Sequence, residues 1–126
     1  MRIHVTGAMS FIGDVLLQNC RLSGLEVSGS DLSASVNSEI ACADIRDPNF
    51  ATSIPNGTEV VVHLAAISRD ADCKGRMDNW YQTNVRASEN VLRAASASGV
   101  SQFIFASSEW VYDYFGPEER SEKEWI

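Results

Sequence analysis

Short apolar runs recur along the chain, and longer segments with helical spacing of their apolar residues separate them. We predict five strands, at Ile3–Val5, Leu25–Ser30, Ile40–Ala43, Glu59–Leu64 and Phe103–Ala106. The fourth run is nearly continuously apolar, as expected of a strand that is buried on both faces. Strands that alternate with helices are typical of a parallel sheet covered by crossover helices, so the pattern predicts an α/β fold.

One long helix is predicted between the last two strands, from Met77 to Ser98. Four apolar residues at spacings of four, seven and three share one helical face: Tyr81, Val85, Leu92 and Ala95. Gly99 follows directly, at a position where glycine commonly ends a helix. The pattern therefore predicts a single amphipathic helix that packs on the sheet.

The first strand leads into a glycine-bearing turn, Thr6 to Gly13, that opens a second amphipathic segment. Amides at a helix N-terminus bind phosphate well, and the helix dipole favours negative charge there. Gly7 permits a tight turn, and Gly13 permits close packing of helix and strand. Asp31 lies eighteen residues beyond Gly13, where a carboxylate can accept ribose hydroxyls and repel a 2′-phosphate. The layout predicts a dinucleotide site that favours NAD over NADP, on a Rossmann-like doubly wound parallel sheet.

Ser10 departs from this fingerprint, because it stands where the middle glycine of the loop is expected. If the position requires a positive φ, serine costs roughly 1–2 kcal/mol relative to glycine. The Cβ atom also occupies space that the backbone needs for close approach to phosphate, although the hydroxyl could donate to a phosphate oxygen. Both interpretations of Ser10, obstacle and ligand, follow from its chemistry.

Length, composition and charge narrow the class of protein. The 126 residues fit one domain, and 44% apolar with 21% charged residues is ordinary for a globular protein. The net charge of −7 argues against nucleic acid or anionic membrane partners. No run approaches the roughly 20 apolar residues of a membrane span, and no apolar leader follows the N-terminus. We expect a cytoplasmic protein.

Cysteine and histidine usage points to neither disulfides nor a metal. Cys20, Cys42 and Cys73 are odd in number and widely spaced, which suits free thiols in a reducing compartment. His4 and His63 share no ligand spacing with each other or with the cysteines, so no metal site is expected.

Several motifs, in a fixed order, resemble the extended short-chain dehydrogenase/reductase family of NAD-dependent epimerases and dehydratases that act on nucleotide sugars. The motifs are Thr6-Gly7 through Gly13, Asp31, Asp44-Ile45, His63-Leu64-Ala65-Ala66, Asn84-Val85 and Phe103-Ile104-Phe105-Ala106-Ser107-Ser108 with Val111-Tyr112. The resemblance covers nearly the whole chain. It implies hydride transfer between NAD and a sugar carbon, UDP-glucose 4-epimerase being one such enzyme.

The resemblance also implies roles for individual residues. The cofactor-binding residues would be Gly7, Ser10, Phe11, Ile12, Gly13, Asp31, Asp44, Ile45, Leu64, Ala65, Ala66 and Asn84. Among these, the Asp44-Ile45 pair would hold adenine, and Asn84 would be structural and near the active site. Ser108 would be the catalytic serine. His63 receives no catalytic role, because a histidine at a strand end is usually a core residue.

A proton-transferring Tyr-x-x-x-Lys pair, which the family requires, is not in this sequence. A free tyrosine is a poor base because its pKa is about 10, and a lysine on the same helix face lowers that value. The only lysines are Lys74 and Lys123, and the residues four before them are Asp70 and Glu119. We therefore expect the chain to be inactive alone and incomplete relative to the family.

Two interpretations of that gap remain open. In the first, the chain is the cofactor-binding portion of an epimerase or dehydratase, and a nucleotide sugar binds only when a C-terminal part completes it. In the second, the chain is a non-catalytic NAD-binding or protein-interaction module. We expect an NAD-binding domain over residues 1–115 and a charged tail over 116–126. A bare edge on the fifth strand would template association, so self-association is also expected.

Overall fold

A computed structural model describes residues 1–35, 38–68 and 75–108. Its elements in chain order are β1 (Arg2–Thr6), α1 (Phe11–Leu22), β2 (Glu26–Asp31), β3 (Ala41–Cys42), a 3₁₀ turn (Phe50–Ser53), β4 (Val60–His63), α2 (Met77–Tyr81), a π turn (Gln82–Arg86), α3 (Ala87–Ala97) and β5 (Gln102–Phe105). Each predicted strand is present, with bounds that differ by one residue at each end. The expected tail lies outside the described residues.

The five strands form one parallel sheet in the order β3-β2-β1-β4-β5. This order confirms the predicted doubly wound α/β fold. The chain runs outward from β1 to β3, then crosses back to β4 on the other side of β1. In such sheets a ligand binds at the carboxyl edge, where the strand order reverses. Here that crevice lies between the ends of β1 and β4.

Apolar residues cover both faces of the sheet, which explains why β1 and β4 are so strongly apolar. On one face α1 packs through Leu17 and Cys20, while the other face receives α3 and the 3₁₀ turn through Val91 and Phe50. The sheet also carries a set of buried polar side chains: His4, Thr6, Ser30 and His63. Buried polar groups need internal hydrogen bonds, and those bonds shape the site described below.

The long helix differs from its prediction. The segment is helical over Met77–Ala97, but the π turn divides it, and the amide of Ala87 donates to the carbonyl of Gln82 five residues back. Three of the residues predicted to face the sheet are exposed: Tyr81, Val85 and Leu92 at 44%, 40% and 49%. The fourth predicted residue, Ala95, is buried, in a stripe that it shares with Ala87, Val91 and Ala94. The wider turn breaks the single 3.6-residue period on which the prediction rested.

The longest uninterrupted α-helix among the described residues is α1, with twelve residues. None of the helices in residues 1–35, 38–68 and 75–108 is long and apolar enough to cross a membrane.

Candidate functional site

The predicted site residues gather at the carboxyl edge of the sheet. Gly7 follows β1 directly, Asp31 ends β2, and Leu64 follows β4. Asp44 lies two residues beyond β3, and Ser108 lies three residues beyond β5. Because the strands are parallel, these ends share one edge, and direct contacts described below join several of them.

Two glycines bring the β1–α1 loop into close contact with its neighbours. Gly7 has a φ of +69°, and a Cβ atom there would lie 2.7 Å from the amide nitrogen of Ala65. At Gly13, a Cβ atom would collide with the carbonyl oxygen of Gly7. The expected tight turn and close helix packing are therefore both present. The loop leaves no room for a side chain at either position.

Ser10 is the N-cap of α1 and carries no backbone strain. Its φ is −70°, so the positive φ considered for this position does not occur. Its hydroxyl oxygen accepts a 3.1 Å hydrogen bond from the amide of Gly13, as serine commonly does at this position. The amides of Phe11 and Ile12 open the helix and lack an intrahelical carbonyl partner. These two amides are the natural donors to an anion.

Asp31 links the end of β2 to the glycine loop. One carboxylate oxygen accepts a 3.0 Å hydrogen bond from the amide of Met9, and the other accepts a 2.8 Å bond from the amide of Ser33. A carboxylate has about four acceptor sites, so two backbone bonds leave room for two more donors. The side chain is thus oriented by the backbone and still able to accept a pair of hydroxyl groups.

Arg46 engages the Asp44 carboxylate. Its guanidinium donates to both carboxylate oxygens at 2.7–3.0 Å and also reaches the side-chain oxygen of Asn79 on α2 at 3.3 Å. These hydrogen bonds lower the pKa of Asp44. Ile45 points into the core, and its carbonyl accepts a bond from Asn90. The sequence analysis did not identify Arg46, although its position two residues after Asp44 was a usable signal.

The loop after β4 is held by Asn84, which lies in the π turn. The Asn84 side chain accepts from the amide of Ile67 and donates to the carbonyl of Ile67, both at 2.8 Å. Leu64 and Ala65 are half-buried beside Gly7, and Ala66 is exposed. Asn84 therefore fixes the backbone of this loop, and a part for it in cofactor binding stays a prediction.

His63 and Ser108 occupy very different surroundings. His63 is buried, and its burial lowers the pKa of the imidazole to about 4, so the ring is neutral near pH 7. It lies between the hydroxyls of Thr6, which opens the predicted glycine turn, and Ser88, which the sequence analysis did not identify. Ser108 is exposed at the same edge of the sheet. Tyr112, part of the same sequence motif, lies outside the described residues.

A family model for the NAD dependent epimerase/dehydratase family matches residues 3–125. The chain belongs to that family. A curated relative, the L-arabinose 1-dehydrogenase (NAD(P)(+)) of Haloferax volcanii, is 29% identical over 114 residues, which are 90% of this chain and 43% of the relative.

Solved structures of the family share the fold. The UDP-glucose 4-epimerase of Thermus thermophilus, solved as a complex with NAD, superposes with a TM-score of 0.81 and 28% identity over 99% of this chain. A short-chain dehydrogenase/reductase superfamily protein from Agrobacterium tumefaciens with bound NAD gives a TM-score of 0.78 and 32% identity over 90%. This chain spans 43% and 34% of those two chains. It therefore corresponds to less than half of these family members.

Proposed function

We propose that this chain is the NAD-binding portion of an epimerase or dehydratase that acts on a nucleotide sugar. The observation that carries the proposal is the loop at the end of β1. Gly7 and Gly13 let this loop pack directly against the backbone of residues 64–65 and the start of α1, and the first amides of α1, which lack intrahelical partners, are available there to donate to an anion. A phosphate-binding loop beside an oriented carboxylate is what a dinucleotide requires.

Residues at the carboxyl edge would hold two parts of NAD, the pyrophosphate and the adenosine. The amides of Phe11 and Ile12 would hold the pyrophosphate, and the two free acceptor sites of Asp31 would hold the adenosine ribose. Asp44 would accept from the adenine amino group beside its bond to Arg46. Bound NAD would accept a hydride from a sugar carbon and return it. Membership in an NAD-dependent family and NAD-bound structural relatives support this assignment.

Ser108 is proposed to hydrogen-bond the reacting sugar oxygen, since it lies exposed at the carboxyl edge next to the crevice. The chain itself contains no Tyr-x-x-x-Lys pair to take the hydroxyl proton. We therefore propose that this chain binds and orients the cofactor. Substrate turnover would require a form of the protein that also supplies the missing proton acceptor. The UDP-glucose 4-epimerase among the structural relatives supports a nucleotide sugar as that substrate.

A cytoplasmic location and self-association both stay predictions. Within the described residues, β5 pairs with β4 alone, and Ile104 and Phe105 are 43% and 55% exposed. An exposed apolar edge of this kind favours pairing with another strand, which is the physical basis of the expected self-association.

Replacing Asp31 with alanine tests the cofactor assignment. We expect NAD affinity to fall roughly 10- to 100-fold, because hydrogen bonds to a charged acceptor are lost. NADP should lose less or gain, since repulsion of its 2′-phosphate disappears with the carboxylate. Calorimetric titration of both cofactors measures the change in their affinity ratio.

Asp14→Ala is the matched control for this variant. It removes the same charge from the first turn of α1, where the carboxylate accepts a bond from Gln18. It should shift the two affinities alike and leave their ratio unchanged. If Asp31→Ala also weakened NAD and NADP equally, Asp31 would not be the ribose ligand.

A further inference from the structure

His63 ends β4 in the middle of a continuous chain of hydrogen bonds. Its Nδ1 atom is 2.6 Å from the hydroxyl of Thr6, and its Nε2 atom is 2.9 Å from the hydroxyl of Ser88. Thr6 is its register partner at the end of β1, and Ser88 lies in the first turn of α3. The ring is 2% exposed and packs beside Phe103 and Phe105. One imidazole thus joins two strands to the helix that covers them.

The partners of the two hydroxyls determine which ring nitrogen carries the proton. Ser88 donates its single hydroxyl proton to the carbonyl of Asn84 at 2.9 Å, so it can only accept from His63. His63 is therefore protonated at Nε2. The bare Nδ1 accepts from Thr6, whose oxygen in turn accepts from the amide of Ala65 at 3.3 Å. In every hydrogen bond of this series the donor is on the Ala65 side and the acceptor is on the Asn84 side.

Both ends of this series of hydrogen bonds lead to residues that bind the loop after β4. At one end Thr6 binds the amide of Ala65, and its carbonyl accepts from the amide of Leu64 at 3.2 Å. At the other end, Asn84 binds both backbone groups of Ile67. The segment from Leu64 to Ile67 is the side of the crevice that Gly7 touches. Its backbone is therefore held at one end by Thr6, which binds His63 directly, and at the other end by the side chain of Asn84, whose backbone carbonyl accepts from the Ser88 hydroxyl that His63 binds.

We propose that His63 is a positioning residue, which as the neutral Nε2–H tautomer locks the backbone of residues 64–67 in the conformation that the cofactor crevice requires. The expected effect of His63 on NAD binding rests on the proposed function. Its effect on the backbone of residues 64–67 does not. Sequence analysis treated His63 as a core residue, and the structure adds that this core residue controls a loop at the site.

His4 provides an internal control of almost identical chemistry. It is 1% exposed, and it lies between the hydroxyls of Ser28 at 2.9 Å and Ser30 at 3.0 Å. Both of its partners belong to β2, and neither is bonded to residues 64–67 in the structure as described. Ser28 donates to the carbonyl of Ile3, so the same reasoning predicts the Nδ1–H tautomer for His4.

The test compares His63→Phe with His4→Phe by hydrogen exchange of the full chain without ligand. Phenylalanine keeps an aromatic ring in the core, and each variant leaves two hydroxyls without their imidazole partner. We expect exchange at the amides of Ala65 and Ile67 to accelerate roughly tenfold more in His63→Phe than in His4→Phe. Equal acceleration in both variants would show that His63 acts on global stability alone, and would overturn the proposal.

NAD titration of the same proteins separates this inference from the proposed function. If the unaltered chain binds NAD, His63→Phe should weaken binding roughly tenfold, and His4→Phe should stay within about twofold. Unchanged affinity in His63→Phe would overturn the link to the crevice. If the unaltered chain does not bind NAD, the proposed function fails, while the exchange result still decides the locking role.

Two further measurements cover the case in which the histidine variants do not fold. Ser88→Ala removes the acceptor for Nε2–H together with the hydroxyl donor to the Asn84 carbonyl, and Ser96→Ala, at an exposed position of the same helix, is its control. Faster exchange at Ile67 is expected in the first variant alone, and equal exchange in both would contradict the proposal. Nitrogen-15 NMR of the unaltered chain at pH 7 should show His63 as the Nε2–H tautomer, and the Nδ1–H form would also overturn it.

Discussion

Gly7→Ala is expected to destabilise the chain by about 2–5 kcal/mol and to abolish measurable NAD binding by whatever remains folded. A left-handed φ of +69° costs an alanine about 1–2 kcal/mol. The added Cβ would also lie 2.7 to 2.9 Å from backbone atoms of Leu64 and Ala65, which cannot move as a flexible side chain would. Relief of that contact must push the two sides of the crevice apart. Urea unfolding and NAD titration measure the two effects.

Gly24→Ala separates conformational strain from the collision. Gly24 has a φ of +72° after α1, and a Cβ atom there would meet nothing within 4 Å. This variant should lose only the conformational part, about 1–2 kcal/mol, and bind NAD normally. Equal losses of stability in the two variants, or normal NAD affinity in Gly7→Ala, would contradict the close contact between the loop and β4.

Acidification from pH 7 to pH 4 is expected to remove a large share of the free energy of unfolding. Burial lowers the pKa of His4 and of His63 from 6.5 to about 4. Below pH 6.5 the two histidines bind protons in the unfolded chain but stay neutral in the folded chain. The free energy of unfolding therefore falls as the pH falls, until the histidines of the folded chain are protonated as well, at about pH 4. Each histidine contributes up to about 3 kcal/mol to this loss. Domains of this kind have roughly 5–15 kcal/mol in total.

Between pH 6.5 and about 5, the change in the free energy of unfolding with pH comes mainly from the two histidines. The carboxyl groups whose pKa is lowered, Asp44, Glu59 and Glu89, add losses in the same direction only below their ordinary values near 4. Urea unfolding at several pH values gives the slope, which His4→Phe and His63→Phe should each reduce. A flat stability between pH 6.5 and 5, or an NMR titration of either ring near pH 6.5, would contradict the burial seen here.

The fold and the glycine loop were predictable because they depend on local sequence signals. Alternating apolar runs predict strands and crossovers, and the strand order then follows few rules. Gly7, Gly13 and Asp31 were identified by spacing alone, and the structure places all three at the carboxyl edge. Ser10 shows the limit of a motif comparison, because its actual φ of −70° removes the strain that a missing glycine suggested.

The hydrogen-bond chain through His63 could not be predicted, because it joins residues far apart in sequence. Thr6 and His63 are 57 positions apart, and His63 and Ser88 are 25 apart. The π turn was not predicted for another reason, because one extra residue in a helical turn does not change the amino-acid composition. It shifted the buried face to small alanines that a search for large apolar residues overlooks. The Arg46–Asp44 pair was local, and a search of residues 44–46 for charge pairs would have found it.

Calorimetric titration of the 126-residue chain with NAD, and separately with NADP, tests the central claim most directly. It needs no substrate and no catalytic turnover. The structure predicts NAD binding with a dissociation constant on the order of micromolar, and weaker binding of NADP. A folded chain that gave no heat of binding with NAD would contradict the assignment of the crevice between β1 and β4 as a cofactor site.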